Sequence, residues 1–276
     1  MSLVFQNLRK QYGANVATDD VSTDFAPGLI HGIIGPNGAG KSTLINLTAG
    51  SYTLTAGSIL LDGKRLDGMK KYKISQAGVA RTYQNIRQFD QMTALENLEV
   101  CFYATEGGGT WREILWPPFE ARQNARRREK AMEVLRLFDL QGFARTEAGS
   151  LPYGRQRMLE IARALVMNPR VLLLDEPAAG LNHHETAELT ERLAALRHPD
   201  LIMIVVEHDM DLVMRLCDRI IVMHHGQLLF SGTPAEVQAS AEVQLAYLGT
   251  ANDIDDIKAA AESRRAKLGL RARQRS

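Results

Sequence analysis

The chain has 276 residues, enough for one large domain or for two domains of ordinary size. Hydrophobic residues make up 45% and charged residues 24%, which is the balance of a globular protein. The chain has 33 Lys and Arg residues and 32 Asp and Glu residues, a net charge of +1. This balance excludes an overall electrostatic attraction to nucleic acid or to a membrane surface.

No segment of the sequence is expected to span a membrane or to direct export. The longest apolar run, "LIMIVV" over 201–206, is far shorter than the roughly 20 residues that cross a bilayer. The N-terminus "MSLVFQNLRKQY" lacks the apolar core of a signal peptide. Cys101 and Cys217 have no metal-binding or redox spacing, so we expect reduced thiols in a cytoplasmic protein.

The predicted elements, taken in chain order, indicate a mainly parallel core sheet with two additions. Short antiparallel strands bounded by glycine are predicted within 1–30 and 57–63. Helical periodicity prevails between about 90 and 165, which predicts a helical insert. Beyond about 250 the chain becomes basic. We expect a solvated tail over 251–276, either irregular or helical. Four apolar runs are predicted as buried strands, the first three leading into helix-like segments: 29–34, 171–176, 201–208 and 219–226.

A glycine-rich stretch follows the first buried strand. It carries the pattern G-x-x-x-x-G-K-[ST] between a predicted strand and a predicted helix, with Gly35, Gly40, Lys41 and Ser42. Glycines let backbone N–H groups wrap a phosphate, and the helix N-terminus adds a positive dipole end. We expect Lys41 to bridge the β and γ phosphates of ATP, and Ser42 to bind Mg²⁺. The alternative is a simple turn, and chance matches occur in on the order of one chain in a hundred.

A second candidate site lies at the end of the strand "VLLLDEP", residues 171–177. Charges at the carboxyl edge of a parallel strand lie where open α/β sheets bind ligands. We expect Asp175 to hold Mg²⁺, directly or through water, and Glu176 to polarise a water that attacks the γ-phosphate. Taken alone, two solvated acids before Pro177 would be an equal alternative, but the preceding phosphate loop favours the functional interpretation.

Two further polar residues have little specificity by themselves. His208 ends the strand that we expect beside the Asp175 strand, so it could reach the γ-phosphate. Gln84 stands between a short strand and the helical insert. A lone histidine at a strand end is more often structural than catalytic.

The stretch "AGSLPYGRQRMLEIARAL", residues 148–165, predicts an amphipathic helix. Its apolar residues recur at helical spacing and should face the core. Ser150 is a candidate N-cap, and Pro152 would then lie in the first helical turn.

Together these motifs resemble the ATP-binding-cassette (ABC) ATPases over roughly residues 3–249. "GPNGAGKST" resembles the Walker A loop and "LLLDEP" the Walker B strand with its catalytic glutamate, Glu176. Gln84 matches the Q-loop glutamine, His208 the H-loop histidine, and Tyr12 the aromatic residue that stacks on adenine. The resemblance implies an α/β P-loop cassette fold over 1–250, with an antiparallel β subdomain and a helical subdomain.

The resemblance also implies which residues form the site. It implies catalytic roles for Glu176 and His208. It also implies that Ser42, Gln84 and Asp175 bind Mg²⁺. "AAGLN" resembles the D-loop, which contributes Gly180, Leu181 and Asn182. The ATP-binding residues are Tyr12, Gly35, Asn37, Gly38, Gly40, Lys41, Ser42, Thr43 and Gln84.

The family signature, Leu-Ser-Gly-Gly-Gln, aligns with Leu151, Pro152, Tyr153, Gly154 and Arg155. Only the leucine and the second glycine are retained. A serine at position 152 would donate its hydroxyl to the γ-phosphate of a partner's ATP, whereas proline has neither a hydroxyl nor an N–H. The N–H groups of the helix start and the dipole remain. We therefore expect a working site with one donor fewer.

The tyrosine of the signature, "EPAAGLN" and "EHDMDLV" are similar to one subgroup, the ATP-binding subunits of bacterial branched-chain amino-acid importers. That resemblance implies a homo- or heterodimer with a second cassette subunit, two integral membrane permeases and an extracytoplasmic solute-binding protein. It places the chain at the cytoplasmic face of the inner membrane, with the permeases near Gln84 and residues 85–120. "GGGTWREILWPPFE", 107–120, is a candidate part of that surface, and buried core aromatics are the alternative.

Other functions stay open at this point. ATPases of urea or amide importers and of lipid exporters are near relatives of the subgroup. A soluble cassette acting on nucleic acid or ribosomes belongs to a different class, but the balanced charge disfavours it and we expect no nucleic-acid partner. A regulator that binds nucleotide without turnover is disfavoured by Glu176 and His208.

Overall fold

The computed structural model describes residues 2–84, 86–106 and 117–248. The first part of the chain forms β1 (Leu3–Tyr12), β2 (Asn15–Phe25), β3 (Ile30–Ile34), α1 (Lys41–Thr48), β4 (Ala56–Leu61), β5 (Lys64–Arg65), α2 (Lys71–Gln76) and β6 (Val79–Arg81). Helices α3 (Ala94–Glu106), α4 (Pro117–Leu137) and α5 (Tyr153–Leu165) follow. The remainder forms β7 (Val171–Asp175), α6 (His183–Ala195), β8 (Ile202–Val206), α7 (Met210–Leu216), β9 (Arg219–His224), β10 (Gln227–Gly232), α8 (Pro234–Ala239) and α9 (Ala241–Leu248).

The central sheet contains six strands in the order β10-β9-β3-β8-β7-β6. All neighbours pair in parallel except β9 and β10. Every residue of β3, β7 and β8 is buried, because both faces of a parallel sheet are covered. The mainly parallel core expected from the four apolar runs is therefore confirmed, and the strands end up to two residues earlier than predicted.

Alternate residues of these strands contribute to two separate hydrophobic clusters. Leu172 and Leu174 belong to the larger cluster, which includes residues of α3, α5 and α6. Leu173 belongs to the second cluster, which includes residues of α1 and of the smaller sheet. The period of two follows from the alternation of side chains along a strand. The sheet is thus the middle layer between the two clusters.

The smaller sheet is antiparallel, in the order β2-β1-β4-β5. Its β1 and β2 are 10 and 11 residues long, so the prediction of short strands was wrong for this pair. The β1–β2 register shifts at several points, and such bulges let a long strand pair bend over the core. Phe5 and Phe25 meet edge to face with their centroids 4.9 Å apart inside the second cluster.

Helices α3, α4 and α5 lie between β6 and β7 in the chain, as the helical insert predicts. Met158, Leu159, Ile161 and Ala162 of α5 are buried, which confirms the apolar face of that helix. The predicted start was wrong: α5 begins at Tyr153, with Pro152 at its N-cap, and Ser150 lies in a preceding 3₁₀ turn. Leu151 is extended because a residue before proline is disfavoured from the helical region, so the helix cannot begin earlier.

None of the helices in the described ranges is long and apolar enough to cross a membrane. The 107–116 segment and the basic tail from 249 onward lie outside the described residues. The division into a 1–250 domain and a 251–276 tail stays a prediction.

Candidate active site

The phosphate loop connects β3 to α1, as predicted. Gly35, Gly38 and Gly40 have φ values of 150°, 80° and 98°, which favour glycine. A Cβ on Gly35 would stand 2.1 Å from the Met223 carbonyl oxygen, whereas one on Gly38 would meet nothing within 4 Å. No side chain caps α1, so its first N–H groups can donate hydrogen bonds to an anion. The glycines thus keep the loop close to β9 and leave its other side open for a phosphate.

Lys41 is buried at the start of α1, and its side chain folds back across the loop. Its Nζ donates to the carbonyl oxygens of Gly35 at 2.7 Å and Pro36 at 3.0 Å. Burial lowers the pKa of Lys41, and the nearby carboxylates of Glu176 and Asp175 oppose this shift. The ammonium therefore lies between the loop and the two acids of the second candidate site.

Asp175 ends β7 and is buried, with only 5% of its surface exposed. Arg81, at the end of the neighbouring strand β6, donates to its Oδ2 at 3.0 Å and to Oδ1 of Asn46 at 2.7 Å. Burial raises the pKa of Asp175, and the Arg81 guanidinium opposes this shift. Sequence reasoning missed Arg81. The sequence did contain a signal for it, because Arg81 is a basic residue at the carboxyl end of a strand and the carboxyl ends of parallel strands lie at the same edge of the sheet.

Glu176 meets Gln84 and His208 just beyond the sheet edge. Gln84 Nε2 donates to Glu176 Oε2 at 3.0 Å, and His208 Nδ1 lies 4.0 Å from Glu176 Oε1. Glu176 has a φ of 48°, and its N–H donates to Val206 O at 2.8 Å. This left-handed conformation costs on the order of 1–3 kcal/mol in a residue other than glycine and typically persists where function requires it. The strand order places His208 here, because β8 neighbours β7.

The three side chains predicted to bind Mg²⁺ all offer oxygen atoms, which suit a hard divalent cation. Asp175 offers a carboxylate, Ser42 a hydroxyl in the first turn of α1, and Gln84 an amide oxygen, because its amide nitrogen is the atom that faces Glu176. Mg²⁺ prefers such oxygen ligands and completes its shell with water and phosphate. Within the described ranges, no three His, Cys, Asp or Glu side chains are placed to hold a metal. A bound Mg²⁺ would therefore be held by this mixed donor set together with phosphate oxygens.

Tyr12 ends β1 with 42% of its surface exposed, as a stacking residue requires. Tyr52 meets it edge to face, with ring centroids 5.7 Å apart, and Lys10 Nζ lies 4.6 Å from the Tyr12 centroid. Sequence reasoning missed Tyr52, which follows α1 and had no motif to identify it. Asn37 is exposed in the phosphate loop, and Thr43 is half-buried in α1.

The signature residues lie at the start of α5, against the D-loop and α6. Tyr153 is 46% exposed, and its hydroxyl donates to Ala179 O at 3.2 Å. Arg155 pairs with Glu188 of α6 at 2.9 Å. A Cβ on Gly154 would stand 2.6 Å from Glu185 Oε1. Leu151 is buried in the larger cluster, while Pro152 is exposed.

The D-loop follows Glu176 and continues into α6. Gly180 has a φ of 81° and packs on the Tyr153 ring, where a Cβ would stand 2.9 Å from Cε1. Leu181 packs on the larger cluster. Asn182 caps α6 in a capping box with Glu185, each side chain accepting from the other residue's N–H at 3.0 Å. The signature and the D-loop therefore form one surface.

The fold and this site define a class of protein, the P-loop nucleoside triphosphatases. The chain belongs to the ABC transporter family, whose family model matches residues 18–179. A second family model, described as "Branched-chain amino acid ATP-binding cassette transporter", matches residues 227–253.

Curated relatives and solved structures agree with this family. The chain is 41% identical over 250 residues to the high-affinity branched-chain amino acid transport ATP-binding protein LivG of Escherichia coli K12, covering 90% of this chain and 98% of the relative. It is 40% identical to BraF of Pseudomonas aeruginosa over the same shares. An ATP-binding cassette of an ABC transporter in its ADP conformation has 30% identity and a TM-score of 0.77, covering 91% of this chain and all of that one.

Proposed function

We propose that this chain is the ATP-binding and ATP-hydrolysing subunit of an import system for branched-chain or other hydrophobic amino acids. The observation that carries the proposal is the position of Glu176, between Gln84 and His208 and beside the phosphate loop. The solute class rests on the names of the LivG and BraF relatives.

In this proposal the phosphate loop binds the phosphates of ATP and Tyr12 stacks on the adenine. The N–H groups of Gly38, Gly40 and the first turn of α1 donate to the phosphate oxygens. Lys41 exchanges its two carbonyl partners for the β and γ phosphates, which are stronger acceptors because they are charged. Asn37 and Thr43 complete the lining of the loop.

Ser42, Gln84 and Asp175 would hold Mg²⁺, which neutralises phosphate charge when it is bound. Arg81 would have to leave Asp175 or share it, since both cations compete for the same buried carboxylate. Glu176 orients and polarises the attacking water through its carboxylate, and Gln84 fixes that carboxylate. His208 is placed to donate to the γ-phosphate. The reaction is an in-line displacement in which positioning and electrostatics supply the acceleration.

We infer that two cassette subunits bind two ATP molecules between them, each held by one phosphate loop and the other subunit's signature. The common surface of Tyr153, Gly154 and the D-loop supports this arrangement, because no side chain caps the start of α5 and the Tyr153 ring beside it is exposed. A cassette with 26% identity and a TM-score of 0.69, covering 84% of this chain and 98% of that one, is described as dimeric. The second subunit is either another copy of this chain or a related cassette.

A groove of about 350 Å³ beside the Gln84 segment supports membrane docking. It is formed between α2, β6 and α5, and its cationic lining exceeds its acidic lining. Tyr72, at 55% exposure, extends its rim. We infer that a short acidic segment of each permease binds here, which places the chain at the cytoplasmic face of the membrane. The groove is lined by Lys71, Tyr72, Arg81, Tyr83, Arg87, Glu160 and Arg163, among others.

Purification of a tagged chain from detergent-solubilised membranes tests this function. We expect two integral membrane subunits and, if the pair is a heterodimer, a second cassette in the eluate, together with Mg²⁺-dependent phosphate release. A matched Lys71→Glu variant should lose the membrane subunits but keep nucleotide binding. Ribosomal material in place of membrane subunits would instead favour a cassette that acts on nucleic acid.

A further inference from the structure

Charged residues on one face of α5 bind the backbone of the Q-loop segment, defined here as residues 82–84 and 86–89. Arg157 donates from Nη1 to Tyr83 O and from Nη2 to Gln84 O, both at 2.9 Å. Glu160 Oε1 accepts from the Tyr83 N–H at 3.0 Å. Arg163 donates to Arg87 O. Spacings of three residues put these side chains on the same helix face, so α5 holds four backbone groups of this segment.

Arg157 and Glu160 are themselves an ion pair, with Nη1 and Oε2 2.9 Å apart. Their side chains are 0% and 5% exposed. Burial raises the pKa of Glu160, and the contacts with Tyr83 and Arg157 oppose this shift. A buried pair of this kind is weak evidence for stability, because apolar residues of similar volume often replace it at no cost. Apolar residues, however, can bind neither the carbonyl oxygens nor the N–H of the loop.

The pair lies between two parts of the proposed site. Arg157 follows Gly154 by less than one helical turn, so it moves rigidly with the signature end of α5. On its other side it holds the carbonyl of Gln84, whose side chain donates to Glu176. A continuous set of contacts therefore runs from the signature, which faces the partner's nucleotide, to the catalytic carboxylate of the same chain.

We propose that Arg157 and Glu160 are positioning residues, which hold the Q-loop backbone so that Gln84 reaches Glu176 and which couple dimer closure to ATP hydrolysis. Neither residue touches the nucleotide. Tilting of α5 on closure shifts the Tyr83 and Gln84 carbonyls with it, and thereby moves the amide that orients Glu176. This inference rests on the proposed function, since it assigns a role within the same ATPase cycle.

The test compares the wild-type chain with Arg157→Met/Glu160→Met in the complex purified from membranes. Two methionines fill the buried space without leaving an unpaired charge, so we expect a melting temperature within a few degrees of wild type. Mant-ATP affinity and ATP-dependent closure, measured by fluorescence, should stay within about twofold. The kcat for ATP should fall by about 10- to 100-fold, as expected for a misplaced catalytic group, while KM stays nearly constant.

Arg197→Met is the matched control, because Arg197 also donates to a carboxylate and a carbonyl, those of Asp218 and Leu216, away from the Q-loop segment. It should keep the wild-type kcat. Arg157→Lys provides a second variant should the double variant fail to fold. Lysine keeps the charge but replaces the two separate Nη donors of the planar guanidinium by a single ammonium on a shorter side chain, so kcat should fall with normal melting. Wild-type kcat in the folded double variant or in Arg157→Lys would overturn the inference. Absence of hydrolysis by the wild-type complex would instead overturn the proposed function.

Discussion

Replacing Pro152 by serine should strengthen the hold of this chain on its partner's ATP. Pro152 is the N-cap of α5, with φ −54° and ψ 147°, and no side chain caps the helix. Serine accommodates this extended backbone, and its hydroxyl can donate to a phosphate. A hydrogen bond to a charged group contributes about 1.5–3 kcal/mol. This corresponds to about 10- to 150-fold in affinity at that site.

The assay is an ATP titration of phosphate release by the complex purified through a tag on this chain. Pro152→Ala is the control, since it removes the ring without adding a hydroxyl. We expect the half-saturating ATP concentration to fall in Pro152→Ser but not in Pro152→Ala. Serine should also raise stability without nucleotide by about 1 kcal/mol as an N-cap, which a melting curve separates from the effect on ATP. Equal ATP dependence in both variants would refute the reasoning.

Three further predictions concern single residues. Lys41→Ala should abolish mant-ATP binding, because the cation beside the phosphate loop is lost; affinity close to wild type would contradict the phosphate-loop assignment. Asn182→Ala should lower the free energy of unfolding by about 1 kcal/mol, or the melting temperature by about 2–4 °C, whereas Asn182→Asp retains the cap and should melt as wild type. Burial raises the pKa of Cys217 to about 12, so its thiol should resist dithionitrobenzoate at pH 8 until guanidinium unfolds the protein, and rapid labelling of the native Cys217 would contradict the burial. The pKa of Cys217 is higher in the folded chain than in the unfolded chain. The contribution of this thiol to the free energy of unfolding is therefore fully present below the unfolded pKa and is lost as the pH rises towards 12.

The parts of the fold that follow from local patterns could be predicted from the sequence. Apolar runs identified β3, β7, β8 and β9, because strands buried on both faces contain little else. The phosphate loop was recognised because its glycines and lysine are adjacent in the chain. The start of α5 was not predicted correctly. The rules for helix caps and periodicity favoured Ser150 as the N-cap, but Leu151 precedes a proline and is extended, so the helix begins only after Pro152.

The contacts that organise the candidate site were largely beyond the sequence. Arg81 and Asp175 are 94 residues apart in the chain, and Arg157 and Tyr83 are 74 apart. Their pairing depends on strand order and on the packing of α5, which no local pattern encodes. The register of β7 and β8 does allow His208 to be placed near Glu176 once the strands are known to be neighbours. The roles of these residues in catalysis stay predictions.

Uptake of radiolabelled leucine by cells that express this chain with its membrane subunits tests the central claim most directly. The comparison is between the wild-type chain and Glu176→Gln, which keeps the shape of the side chain but removes the charge that polarises water. We expect Glu176→Gln to assemble with the membrane subunits and bind ATP, yet to lose leucine uptake and phosphate release together. Uptake at the wild-type rate with Glu176→Gln would contradict the account.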